Sequence, residues 1–175
     1  MCCVILYIIK GDKKLKILGI DPGYGLIGYG VLEKTNTGIK MIDFGAITTP
    51  KEKKLSERLK IIFDCMKILI DKYQPDEMAV EQLYFGRNVT TAIGVAEARG
   101  VILLSAEEMN IPVFEYTPQQ IKIALTGMGK ADKSQVQFMV KTIIGLEKTP
   151  RPDDAADALA VAICHSQTNQ AMRGL

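Results

Sequence analysis

The most constraining stretch of this chain is Ile17-Leu18-Gly19-Ile20-Asp21-Pro22-Gly23, an apolar run that ends in a carboxylate and a turn pair. The run is continuous rather than alternating, so it predicts a strand over Ile17–Ile20 buried on both faces of a sheet. Pro22 and Gly23 stop it. Asp21 then stands at the tip of a central strand, where an ionised carboxylate is costly unless it is paired, hydrogen-bonded or bound to a cation. On this stretch alone, a turn-forming Asp before Pro-Gly is an equal reading.

The rest of the chain bears on that choice. Gly25–Leu32 and Met41–Thr48, joined by a turn at Asn36-Thr37-Gly38, read as two further strands of an antiparallel meander. Leu55, Leu59, Ile62, Phe63, Met66, Leu69, Ile70 and Tyr73 recur at helical spacing. Gln74-Pro75 end that helix, and Met78-Ala79-Val80 form a short strand ending at Glu81. A strand, a helix and a strand in succession predict parallel pairing. Asp21 and Glu81 are then expected at one rim of the sheet, where open α/β sheets bind ligands.

Residues 88–109 read as a long helix rich in Gly and Ala, a composition that suits close approach of another backbone, either the sheet or a second copy of the chain. Pro112–Tyr116 give the last strand. Thr117-Pro118-Gln119-Gln120 predict a capping box with proline at the first helical position. A helix from Asp132-Lys133-Ser134-Gln135 follows the loop Gly127-Met128-Gly129-Lys130. The final helix opens at Asp153-Asp154-Ala155-Ala156-Asp157, with Asp153 expected as the N-cap. Asp154 and Asp157 share a face. They either complement the helix dipole or, on a face rich in alanine, repel one another unless a cation joins them.

Composition excludes some classes. The 175 residues, 47% apolar and 24% charged, are globular and suit one domain with an ordinary core. The apolar run Val4–Ile9 is too short to span a bilayer. Residues 1–16 are taken as an extension of unknown role, either an extra strand or an artefact of where the reading frame opens. Residues 17–168 are taken as the catalytic domain and 169–175 as a tail. A net charge of +2 permits nucleic acid without arguing for it. Four cysteines without C-x-x-C spacing and one histidine make a poor zinc site, so free thiols in the cytoplasm are expected.

Asp21, Glu81, Asp154 and Asp157 thus form an oxygen-only set that suits Mg²⁺ or Mn²⁺. Two such ions can drive phosphodiester hydrolysis in nucleic acid. Gly19-Ile20-Asp21-Pro22-Gly23, Glu81-Gln82-Leu83-Tyr84-Phe85 and Asp154-Ala155-Ala156-Asp157-Ala158-Leu159-Ala160 together resemble the RuvC family of bacterial Holliday junction resolvases, from about Ile17 to His165. The resemblance implies an RNase H-like α/β fold, with three antiparallel strands plus parallel strands in a mixed five-stranded sheet flanked by helices. It also implies a homodimer, two Mg²⁺ ions per site (Mn²⁺ substituting), paired symmetric nicks in a four-way DNA junction, and a RuvA–RuvB branch-migration partner. The four carboxylates fall on the family's metal-binding catalytic positions.

The resemblance further implies an aromatic wedge three residues after the catalytic Glu, at Tyr84 or its neighbour Phe85. It also implies DNA contacts by Lys122 and Lys133. Lys130 and Arg87 are added from their expected place on the same rim, since lysine as a point charge suits phosphate. Lys51, Lys53 and Lys54 read as a solvated loop. Another RNase H-like nuclease is the nearest alternative. Gly19–Gly23 is also similar to the first phosphate loop of actin-like ATPases, but those enclose ATP between two such lobes. A binding-only module would leave four carboxylates without a use.

Overall fold

The computed structural model describes residues 14–83 and 89–168, so Tyr84, Phe85, Arg87 and residues 169–175 lie outside the described residues, as do residues 1–13. The expected buried strand is β1, Leu15–Asp21, two residues longer at its start than its apolar run. Strands β2 (Leu26–Thr35) and β3 (Gly38–Thr48) complete an antiparallel meander with it. Helix α1, Leu55–Tyr73, crosses to β4, Glu77–Glu81, which pairs parallel to β1. Helix α2, Val89–Glu108, crosses to β5, Val113–Tyr116, parallel to β4. The five-stranded sheet runs β3-β2-β1-β4-β5, and α3 (Pro118–Thr126), α4 (Lys133–Ile143) and α5 (Asp153–Gln167) follow.

The two-residue period of a strand sends alternate side chains to opposite faces. Leu18, Ile20, Met78 and Val80 join the core beneath α1 and α2, while Ile17 and Ala79 join the core beneath α3, α4 and α5. Asp21 and Glu81 keep step with Ile17 and Ala79, so both carboxylates belong to the α5 side. Helix α5 is the inner member of that layer, with Ala155, Ala156 and the whole run Ala158–Ser166 buried.

Its approach depends on missing side chains. A Cβ on Gly19 would lie 2.7 Å from the Ala162 Cβ, and one on Gly28 would fall inside the van der Waals envelope of the Asp154 carbonyl oxygen. Several small residues of α2, Gly94, Ala98 and Ala106 among them, point inward. Ala98, Ile102 and Ala106 are fully buried, and a Cβ on Gly94 would sit 3.3 Å from the Tyr24 ring. Ile93 and Leu104, 57% and 60% exposed, stand on the opposite face.

Local signals placed most helix ends. The Thr117–Gln120 box opens α3, Asp132 and Gln135 open α4, and Gly127 ends α3 at φ +73°. The α5 cap differs from expectation. Pro152 holds the N-cap position without a side-chain bond, and Asp153 is the first helical residue. Its carboxylate is turned to Arg151 and Lys133 instead of to the backbone N–H groups.

Gly28→Ala should force the first turn of α5 off the sheet. Overpacking of a tight contact costs about 1–3 kcal/mol, and a urea-unfolding midpoint lowered accordingly is the expected result.

Candidate active site

Register brings the first two carboxylates together. Ile20 pairs with Val80, so Asp21 and Glu81 end adjacent parallel strands at the same rim. The buried α5 lays Asp157 over that rim, and its preceding turn carries Asp154. Asp21, Glu81 and Asp157 line a cleft of about 220 Å³ with Pro118, Ile121 and Lys122 of α3, Lys133 and Val136 of α4, and Ala160. Asp154 is not on the cleft wall, but its charge acts on both Asp21 and Asp157.

The environment of these carboxylates is short of positive charge. Burial, then the charges of Glu81, Asp157 and Asp154, pushes Asp21 up to about 8. Burial and the Asp157 charge push Glu81 up to about 7, with Lys122 and Lys133 pulling the other way. Burial also raises Asp157, although Lys133 opposes it from 3.0 Å. Of the remaining basic residues expected here, Lys130 is exposed on the loop between α3 and α4 and is not part of the cleft wall.

The donor set is chemically right for Mg²⁺ or Mn²⁺: carboxylate oxygens only, crowded enough that protons are retained in place of charge. Among the described residues no three His, Cys, Asp or Glu side chains form a ready cage. Mg²⁺ does not need one, because it keeps several waters and is held by one or two carboxylates together with substrate phosphates. The residues present therefore fit the ion.

Two supports were not legible as such. Arg58, which the α1 pattern assigns to the polar face, is buried. Its Nε donates to Thr49 Oγ1 at 2.9 Å and its Nη2 to the Tyr24 carbonyl at 3.0 Å, with the guanidinium 4.3 Å over the Tyr24 ring. It thereby braces the turn that follows Asp21. His165 is fully buried, with Nδ1 2.6 Å from the Tyr116 hydroxyl and Nε2 2.6 Å from Glu77 Oε2. This ties the far end of α5 to β4 and β5. Cys164 is a buried free thiol beside it.

Comparison with known proteins bears directly on this arrangement. The family model for crossover junction endodeoxyribonuclease RuvC matches residues 17–165. The chain belongs to the RuvC family. The RuvC of Petrotoga mobilis is 58% identical over 157 residues, spanning 90% of this chain and 96% of its own. That of Thermotoga maritima is 50% identical over 159 residues, 91% and 95% of the two chains. The Thermus thermophilus RuvC structure superposes with a TM-score of 0.80 at 35% identity, covering 87% of this chain and 93% of its own. A structure of Thermus thermophilus RuvC in complex with Holliday junction substrate gives 0.78 at 33%, covering 87% and 92%. The mixed sheet with its flanking helices is thus the RNase H-like fold of the RuvC resolvases.

The raised carboxylates predict a pH dependence. An acid whose folded pKa is raised holds more protons folded than unfolded, so stability falls as pH climbs through the window between the two values. For Asp21 that window runs from 3.8 to about 8, and for Glu81 from 4.5 to about 7. In chelator, the urea midpoint should therefore drop between pH 5 and pH 8.5. Asp21→Asn should flatten the drop, and a divalent cation should restore stability most at the alkaline end.

Proposed function

We propose that this protein is a structure-selective endonuclease that resolves four-way (Holliday) DNA junctions by paired symmetric nicks, in homologous recombination and DNA repair. The observation that carries the reading is the convergence of Asp21, Glu81 and Asp157 on one lysine-edged cleft, in a chain whose relatives are crossover junction endodeoxyribonucleases.

In this reading Asp21, Glu81, Asp154 and Asp157 hold two Mg²⁺ ions, with Mn²⁺ able to substitute. Bound there, the ions supply Lewis acidity and an activated water for in-line attack on the phosphodiester. The protein does the rest. Lys122 and Lys133 grip the phosphates of the strand entering the cleft, and Lys130 extends that grip along the loop. Val136, Ile121 and Pro118 give the cleft an apolar wall that limits water around the reacting phosphate. Tyr84 or Phe85, which follow Glu81 closely in the chain, supply an aromatic face for an unstacked base, and Arg87 a further phosphate contact. Stacking of that kind contributes about 1–3 kcal/mol per base.

Two symmetric nicks call for two sites related by a two-fold axis. The outward face of α2 suits that role, with Ile93, Gly100 and Leu104 at helical spacing and both apolar side chains exposed. Ala98, by contrast, is buried in the protomer's own core. Among the described residues no helix is long and apolar enough to cross a membrane. Membership of the family implies, in this reading, a cytoplasmic enzyme working beside a RuvA–RuvB branch-migration complex.

The decisive experiment compares a synthetic four-way junction with a linear duplex of the same sequence. Asp21→Asn should lower the nicking rate by at least about 10²- to 10³-fold while a gel shift still shows junction binding. Wild-type cutting should stop in EDTA and return with Mg²⁺ or Mn²⁺. Cutting of the linear duplex at the junction rate would refute the reading. For the dimer, Leu104→Glu should sediment as a folded monomer that nicks only one strand per encounter; an unchanged dimer would place the interface elsewhere.

A further inference from the structure

We propose that the Lys133 ammonium and a divalent cation compete for the Asp157 carboxylate, so that metal loading turns Lys133 to the phosphate of the strand to be cut. The inference rests on the metal-site reading above and goes beyond it by coupling the two cations.

The geometry supplies the competition. Lys133 Nζ lies 3.0 Å from Asp157 Oδ2 and 3.5 Å from Asp153 Oδ2. It is thus bonded to a carboxylate that the ion would use. Two positive centres on one carboxylate repel, so the better Asp157 serves one of them the less it serves the other.

Position in the chain makes the arrangement unusual. Lys133 is the first residue of α4, directly after its Asp132 cap. A cation there faces the positive end of the helix dipole, which disfavours it. The α5 carboxylates offset that cost across the cleft. Lys133 is therefore held where it is by the same negative field that would draw a metal.

The pair is also loose enough to be exchanged. The Lys133 side chain is 55% exposed against 27% for Asp157, and ion pairs this open contribute little net free energy. A lysine stem swings readily, and its ammonium suits a phosphate oxygen as a point charge. Once displaced, the ammonium stays within the cleft that Lys122 also lines. Metal and backbone phosphate then strengthen each other's binding, as any linked pair must.

Mn²⁺ binding without DNA, followed by electron paramagnetic resonance, tests the first half. Lys133→Met removes the charge and keeps the stem, and it should bind Mn²⁺ about two- to fivefold more tightly than wild type. Lys133→Arg should stay near wild type. Equal or weaker Mn²⁺ affinity in Lys133→Met overturns the competition. Asp21→Asn separates this failure from failure of the underlying reading. If Asp21→Asn loses Mn²⁺ while Lys133→Met is unchanged, only the competition is wrong. If Asp21→Asn binds Mn²⁺ like wild type, the metal-site reading itself is wrong.

Junction affinity by gel shift, in Ca²⁺ and in chelator, tests the second half. The gain on adding Ca²⁺ should be larger for wild type than for Lys133→Met. Equal gains would mean that Lys133 does not pass to the phosphate.

Discussion

Everything at the cleft depends on how closely α5 lies on the sheet. Fifteen residues of helix span about 22 Å, and α5 is buried along most of that length. The contact is close because Gly19, Gly28 and Gly30 leave room for the α5 backbone and for Leu159. Alanines on the helix side do the same. Packing of this kind has little slack, since interiors are as dense as organic crystals. The same contact that builds the core therefore sets where Asp154 and Asp157 stand relative to Asp21 and Glu81.

That rigidity holds the carboxylates in an arrangement they would not choose. Apolar burial on both faces of the sheet supplies the free energy of folding, and the acidic rim subtracts from it. A carboxylate that retains its proton near neutral pH is less negative than it would be in water, so the fold keeps an unmet demand for cations at one place. Such demand is common at functional sites. Here it is met in part by Lys133 at Asp157 and by Lys122 at Glu81, both delivered by helices whose starts are sharply capped. The caps matter because they fix the first turn of each helix, and Lys133 is in the first turn of α4.

Much of this was legible in the chain. The unbroken apolar run to Asp21, and the second one to Glu81, carry their own strand and register signals, and the helix between them forces parallel pairing. The capping box at Thr117 and the helix start at Asp132 are local signals, while the second box, closed by Asp132 and Gln135, emerges only in the structure. What was hidden needed tertiary context. The Asp153 side chain could serve its own helix end or Lys133, and only the packing of α4 against α5 decides between them. Arg58 looks like an ordinary polar residue on an amphipathic helix, because nothing local announces that the Tyr24 carbonyl and ring close over it. The small residues of α2 admit two neighbours from sequence alone. Ala98 turned inward and Leu104 outward follow from where α1 and Tyr24 already sit.

The His165 clasp has a consequence for how such a protein can adapt. With α5 tied to β4 and β5 at its far end and wedged against glycines at its near end, enlarging or shrinking the central layer would tilt the helix. The tilt would reach the acidic residues at its start. Adaptation to a different temperature is therefore least costly at the periphery. Exposed ion pairs on the rim of the molecule, such as Lys60–Asp64 and Lys53–Glu57 on or beside α1, can be multiplied into networks that strengthen with heat. The interior then leaves little room for change, and the surface is where tuning costs least.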